Sequence, residues 1–298
     1  MRLTVGEKVY KTICYTVAII VALASLYPLL YTLFVSLCSK DEWTARNGLL
    51  LFLPSNPTLT GYSKVLGNGA YVLKATLVSV ARSVLGTFLC VFFNVCVGYA
   101  LSRENLPGRK TIMMFLLITM LFGGGLIPGY LTIKQVGLLN KFWCMVIPSI
   151  MSAWNILIFK QFFEGVPKSL QEAAVIDGAG EFRLMTQVIM PMSKAVIAAI
   201  ALFSFVGHWN SWFDAMIYID NQHSELWPLQ LYTMLNFNNL NQINQNPDML
   251  INSALASEVN TMSMKMALTI VTLIPVLVIY PFFQKYFSKG VYTGAVKG

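Results

Sequence analysis

The chain has 298 residues, of which 56% are hydrophobic and only 11% charged, with a mean hydropathy of +0.63. Soluble domains carry about 25% charged residues, so there is too little polar surface here to cover a water-soluble globule. The formal net charge of +8 is read as the basic excess that membrane proteins collect on their cytoplasmic side, which leaves no case for nucleic acid binding.

The N-terminus is basic and then apolar, from Ile13 to Leu37. That run is longer than the roughly 7–15 residues of a signal-peptide core, and Ser36-Leu37-Cys38 makes a poor cleavage site, so it is read as a retained first span. A spanning helix needs about 20 mostly apolar residues. Six stretches qualify, at roughly 12–38, 71–101, 111–133, 143–163, 192–219 and 262–287, in one transmembrane domain covering 1–298. The expected fold is therefore an all-α integral membrane protein with six transmembrane helices. An even number of spans puts both termini on one side. That side carries Arg2, Lys8, Lys11, Arg103, Arg109, Lys110, Lys160, Lys168, Arg183, Lys194, Lys285, Lys289 and Lys297. The other side has Lys40, Arg46, Lys64, Lys74, Lys134, Lys141 and Lys265. The bias predicts cytoplasmic termini in a cell membrane.

Within the second span lie Arg82 and Asn94, within the fourth Asn155, and within the fifth His208, Trp209, Asn210 and Asp214. A charge in a bilayer costs at least about 2.5–3.5 kcal/mol on insertion scales, so it faces a bundle or a cavity. Arg82, Asn94, Asn155, Trp209, Asn210 and Asp214 are accordingly candidates for lining a substrate path. The competing readings are that the charges pair with a neighbouring subunit, or that Asp214 sits near the outer interface. In the third span, Gly123-Gly124-Gly125 with Pro128 cannot continue a uniform helix. The run is read as the outer end of that span, with a broken helix as the alternative.

Between the fourth and fifth spans lies a polar insert, Ser169 to Pro191. Ser169 and Glu172 form an S-x-x-E capping box behind Pro167, predicting a short helix from Leu170. Gly178 offers a left-handed stop. A second short helix is predicted from Glu181 toward Pro191, with Phe182, Met185 and Ile189 on one face. Ala173 and Ala174 are small enough to let another protein approach. The insert reads as a docking element on the membrane face. The longest outer loop, about 220–261, is rich in Asn and Gln, with Trp227, Tyr232 and Phe237 nearby. Amides and aromatics suit a sugar. The Asn run itself is read as a linker, and the Trp227-Pro228 part as structured.

No catalytic constellation is present. The sequence lacks a G-x-x-x-x-G-K-[ST] P-loop, an H-E-x-x-H helix and a G-x-S-x-G elbow. The five cysteines lack ligand spacing and read as small buried hydrophobes, and His208 and His223 are too few and too far apart for a metal. The chain is read as no enzyme, with energy supplied by another subunit or by an ion gradient.

The insert also resembles the cytoplasmic loop of binding-protein-dependent ABC importer permeases, written EAA, three residues, Gly, nine residues, I-x-L-P. Glu172-Ala173-Ala174, Gly178 and Val188-Ile189-Met190-Pro191 match its spacing, with Val for Ile and Met for Leu. The maltose-type carbohydrate subfamily is similar along nearly the whole chain. Its likeness includes Tyr99–Arg103, Leu106–Arg109, Gly137–Asn140, Tyr280–Phe287 and the ending Gly294-Ala295-Val296-Lys297-Gly298. The Gly-Gly-Gly-Leu-Ile-Pro run resembles its branch for complex oligosaccharides, and the Asn-rich stretch departs from it.

This resemblance implies the type I importer permease fold, with a coupling loop at 164–191 and a tail at 288–298. Glu172, Ala173, Ala174, Asp177, Gly178, Ala179 and Pro191 would couple to an ATPase, and Gly294, Val296, Lys297 and Gly298 would contact it. The implied partners are a homologous second permease subunit, two ATP-binding subunits that hold ATP and Mg, an extracellular or periplasmic solute-binding protein, an oligosaccharide and membrane lipid. The alternatives are an ion-coupled secondary transporter using Asp214 as a proton site, and an importer of a non-sugar solute.

Overall fold

The computed structural model describes residues 4–50, 52–67, 69–245 and 260–295, without the side chains of residues 5, 239–245 and 282–295. Among the described residues the regular structure is helical. The chain divides into two compact units, Met1–Val72 with Thr233–Ile274 and Leu73–Tyr232 with Pro275–Gly298.

In the first unit, α1 (Val5–Ser36) starts at a capping box. Thr4 N donates to Glu7 Oε2 at 2.7 Å, and Glu7 N returns a bond to Thr4 Oγ1 at 3.4 Å. Its side chains are exposed along most of its length, as a lipid-facing helix requires. At its end, Val35, Cys38 and Leu50 form a small core with Trp43 and Met262 packed against it. The short helices α2 (Lys40–Ala45) and α3 (Thr60–Gly67) follow. Tyr62 of α3 meets the Ser36 hydroxyl at 2.7 Å, and Ser263 Oγ donates to Ser36 O at 2.9 Å.

The second unit is organised around α4 (Gly69–Ser102), most of which belongs to it. This helix has no proline and no break. The next three apolar stretches do not form single straight helices. The third divides into α5 (Arg109–Leu121) and α6 (Leu126–Gln135), bent by 118° at the glycine run. Gly125, at φ +82, takes a backbone conformation that disfavours a side chain. The stretch 111–133 therefore stops as a helix at Leu121 and resumes at Leu126, which is the broken-helix alternative. The fourth starts with 3-10 turns over Phe142–Ser149 and bends by 45° into α7 (Ala153–Glu164).

Next come α8 (Lys168–Ile176), α9 (Glu181–Leu184), a π-helical turn Met185–Ile189 and α10 (Met190–Met192). The chain then bends by 82° into α11 (Lys194–Asn210). A second interruption at Ser211–Trp212 precedes α12 (Phe213–Tyr218), so the predicted span 192–219 is broken as well.

Two late expectations are corrected. The Asn-rich run is helical through Gln245 in α13 (Leu229–Gln245). Asn246 and Asn252 lie outside the described residues. The last helix, α14 (Thr261–Ala295), runs past the predicted span end at 287 and takes in most of the tail, including Gly294. Val296, Lys297 and Gly298 lie outside the described residues.

The core of the second unit packs α4 against α7, the π turn and α11. Val95, Tyr99, Phe159, Phe163, Leu184, Ile189, Val196 and Ile200 are all buried there. Phe159 and Phe163 stack with centroids 5.7 Å apart. Gly98 permits the contact: a Cβ there would stand 2.7 Å from Phe159 Cβ and 3.1 Å from Ile156 O.

Asn140, on the loop after α6, and Asp220, on the loop after α12, bond reciprocally, with Asn140 Nδ2 donating to Asp220 Oδ2 at 2.8 Å and Asp220 N donating to Asn140 Oδ1 at 2.9 Å. His223 Nδ1 lies 2.7 Å from Asp220 Oδ1. The hydrogen bond from His223 holds the Asp220 carboxyl below its usual range, and Asp220 raises the His223 imidazole above its own.

Gly98→Ala should destabilise the protein by about 1–3 kcal/mol, because the contact is with a Cβ and a backbone carbonyl that have no room to move. Gly207→Ala, in α11 with open space around it, should be neutral or stabilising by up to about 1 kcal/mol. Unfolding midpoints in detergent check both. The Asp220–His223 contribution should be fully present below the ordinary imidazole value of about 6.5 and vanish as pH rises through the raised His223 value. At the acid end it should vanish as pH falls through the depressed Asp220 value. An NMR titration should show His223 holding its proton to higher pH than in Asp220→Asn.

Candidate functional site

The insert forms a helical loop, though its start differs from the predicted capping box. The cap position is Pro167, and α8 begins at Lys168 with no side-chain capping bond. Ser169 and Glu172 lie inside the helix. Pro167, at φ −52 and ψ 129, presets an extended entry without needing a hydroxyl. The predicted left-handed stop is present at Gly178, φ +79. The last carbonyls of α8 are closed by the turn: Ala173 O by Asp177 N, Ala174 O by Ala179 N and Val175 O by Gly178 N. The predicted face of Phe182, Met185 and Ile189 does not exist as one face. Met185 and Ile189, at the two ends of the π turn, are buried while Phe182 in the preceding turn is 76% exposed. Glu172, Ala173, Asp177, Gly178 and Pro191 are exposed, and Ala174 and Ala179 half-buried.

A cleft of about 1200 Å³ opens beside α8, lined by the segment Tyr99–Arg109, the end of α7 and Glu181. Ion pairs edge it. Arg103 meets Glu181 at 3.0 Å, Lys168 meets Glu104 at 2.9 Å, and Glu164 takes both Arg109 and Lys160. Arg103 also donates through Nη1 to Gln171 Oε1 at 2.8 Å, and Gln171 Nε2 donates to Val166 O at 3.0 Å. The Tyr99 hydroxyl donates to the Glu181 carboxylate, and the Arg103 guanidinium lies 5.9 Å above the Tyr99 ring. The Glu181 carboxyl is held below its usual range, first by the Tyr99 hydrogen bond and then by Arg103.

The intramembrane candidates divide into two groups. Arg82 and Asp214 are brought together in an ion pair within this chain, where Arg82 is almost wholly buried. Arg82 Nη1 also donates to Ser211 O at 3.0 Å, while Asp214 Oδ1 accepts Ser211 Oγ and Ala215 N, each at 2.9 Å. Both groups thus serve the break between α11 and α12. Asn94 is buried and does the same for the fourth stretch, with Nδ2 donating to Ile150 O at 2.7 Å and Oδ1 accepting Ser152 N at 2.9 Å. Trp209 is fully buried and stacks on Phe205. Asn155 is half-buried, with Nδ2 near Cys90 Sγ. Asn210 is exposed and accepts from Gln230 at 3.2 Å. His208 lies against Gly86, whose lack of a side chain makes room for the ring.

A family model described as a binding-protein-dependent transport system inner membrane component matches residues 80–292. The chain belongs to this family. YtcP of Bacillus subtilis, a polygalacturonan/rhamnogalacturonan transport system permease protein, is 32% identical, with 98% of this chain and 99% of the relative covered. LplC of the same organism is 34% identical over 92% of this chain and 90% of its own length. The fold matches a subunit of a bacterial ABC transporter involved in the import of the acidic polysaccharide alginate, with TM-score 0.81, 27% identity and coverage of 96% and 99%. A chain of a bacterial alginate ABC transporter in complex with a pentasaccharide-bound periplasmic protein matches at TM-score 0.54 and 11% identity, which speaks to the fold alone.

As a member of this family the chain is an inner membrane transport component that works with a solute-binding protein, and its fold is the type I importer permease fold. The site residues that sequence reasoning missed are Tyr99, Arg103, Gln171 and Glu181. A signal was available: among 13 acidic residues, Glu172 and Glu181 lie in the insert and Glu164 just before it, and the segment after the second span is basic.

Asp214→Asn should destabilise the protein by about 3 kcal/mol or more, because it leaves the buried Arg82 charge uncompensated. Adding Arg82→Gln should recover part of that loss. A double-mutant cycle on thermal stability in detergent measures the coupling.

Proposed function

We propose that this chain is one of two homologous permease subunits of an ATP-driven importer that carries oligosaccharides across the cell membrane by alternating access. A solute-binding protein delivers the sugar from outside. Two separate ATP-binding subunits hold ATP and Mg and close on ATP, and the loop 164–191 converts that closure into movement of the spans. Both termini face the cytoplasm, and the tail from Gly294 through Val296, Lys297 and Gly298 reaches the ATP-binding subunits.

One observation carries the docking role. Leu170, Val175, Ile176 and Phe182 are exposed on a loop outside the apolar spans, with Ile176 at 85%. Apolar side chains grouped on a polar face call for a protein partner. The exposed positions 172, 173, 177 and 178 lie on the same loop. The oligosaccharide reading rests on YtcP, named for polygalacturonan/rhamnogalacturonan transport, and on the importer of the acidic polysaccharide alginate. Arg82 does not support an acid-reading role, because its guanidinium is held by Asp214 and Ser211 O. The same pair argues against Asp214 as a free proton site.

The test is uptake into proteoliposomes by the complex purified through a tag on this chain, with the solute-binding protein of the same system. Radiolabelled trigalacturonate and maltotriose are the probes. Uptake of at least one should require Mg and ATP, and an imposed proton gradient should not replace ATP. Gradient-driven uptake without ATP would overturn the reading, as would absence of ATP-driven uptake of both sugars. Gly178→Asp, which forces a charged side chain into a left-handed turn, should abolish uptake with the chain still in the membrane. A cysteine at 175 should be labelled only from the cytoplasmic side, and one at 222 only from outside.

A further inference from the structure

Arg103 stands immediately after the last residue of α4, and its two terminal nitrogens reach different halves of the loop. Nη1 bonds Gln171 of α8 at 2.8 Å, and Nη2 bonds Glu181 of α9 at 3.0 Å. Gly178 and its turn lie between those halves. Tyr99, one turn back on α4, donates to the same Glu181 carboxylate and lies under the guanidinium. Gln171 passes the link on to Val166 O at the end of α7. One planar fork therefore closes the loop across its turn and fixes it to α4. A lysine, with a single ammonium on a flexible stem, cannot hold the same pair of partners in a fixed geometry.

The other functional end of α4 is Arg82. It holds the break between α11 and α12 through Ser211 O and Asp214. Between Arg82 and Ser102 the helix is continuous and free of proline, a separation of about 30 Å at helical rise. A continuous helix transmits displacement along its axis, whereas the neighbouring stretches bend by 45° and 82°.

We propose that Arg103 is a positioning residue that locks both halves of the loop to α4, so that α4 acts as the lever carrying loop movement to the fifth-span break at Ser211–Asp214. The proposal rests on the ATP-driven reading above. It assigns the drive to a helix that does not adjoin the loop in sequence, through side chains rather than the backbone.

The test uses the full complex in nanodiscs, with Cys14 and Cys96 replaced by Ser. Spin labels are placed at Gln187 on the loop and Phe213 at the break, each measured against a reference label at Leu121. Distances are compared without nucleotide and with Mg·ATP and vanadate. In the otherwise wild-type complex both distances should change. In Arg103→Gln the Gln187 distance should still change and the Phe213 change should be lost. Arg103→Lys should behave like Arg103→Gln because it keeps the charge without the fork, and it serves if the glutamine variant fails to assemble. A Phe213 change of wild-type size in the variants would overturn the lever while leaving the ATP-driven reading intact. Loss of both changes in the variants would also overturn it, since Arg103 would then only seat the loop. No change at either label in the wild-type complex would remove the ATP-driven reading and the lever with it.

Discussion

A chain that interrupts its helices inside lipid must find partners for the backbone groups it frees, because no water is present to take them. The second unit depends on meeting that demand. Its fourth stretch is interrupted near Ile150 and its fifth at Ser211, and both interruptions are served from α4. Asn94 supplies a donor and an acceptor to Ile150 O and Ser152 N. Arg82 supplies a donor to Ser211 O, with Asp214 closing the charge. A buried arginine in a membrane is expensive, and here it is matched by a carboxylate and a freed carbonyl within the same chain. Polar residues inside apolar spans therefore act as struts before any of them is available to a substrate.

The same helix organises the opposite end of the unit. Gly98 brings α4 and α7 into close contact, and the Phe159–Phe163 stack fills the space beneath the loop. Above that apolar floor lies a lattice of ion pairs and hydrogen bonds from Tyr99 through Arg103 to Gln171 and Glu181. Each exposed pair contributes little stability by itself, about 0–1 kcal/mol. Their value is geometric, since they hold α8 at a set angle to the spans while its apolar residues stay exposed. The loop thus has a held seat and an exposed apolar face.

The two ends have different chemistry because they have different surroundings. Near the break, low dielectric makes the Arg82–Asp214 pair strong once formed and costly to break on one side. At the loop, water screens the pairs, so each is weaker and several together hold the geometry. One strong pair at the break and a set of weaker contacts at the loop follow from burial at one end and exposure at the other.

The class of the protein, its apolar helices and the turn of its polar insert were legible in the residues, because they depend on local properties. Apolar run length, the left-handed stop at Gly178 and the EAA spacing need no tertiary context. The Asn-rich run was read as a linker from composition alone, and the structure makes it helical through Gln245. What only the tertiary structure decided is which polar residue meets which. Arg82 and Asp214 are separated by 132 positions and Arg103 and Glu181 by 78, and no periodicity links residues on different helices. Asn94 and Arg82 look like path-lining residues in sequence for the same reason they serve as struts. A polar group in an apolar span calls for a partner, but the sequence does not say whether that partner is a substrate, another subunit or the chain's own broken backbone.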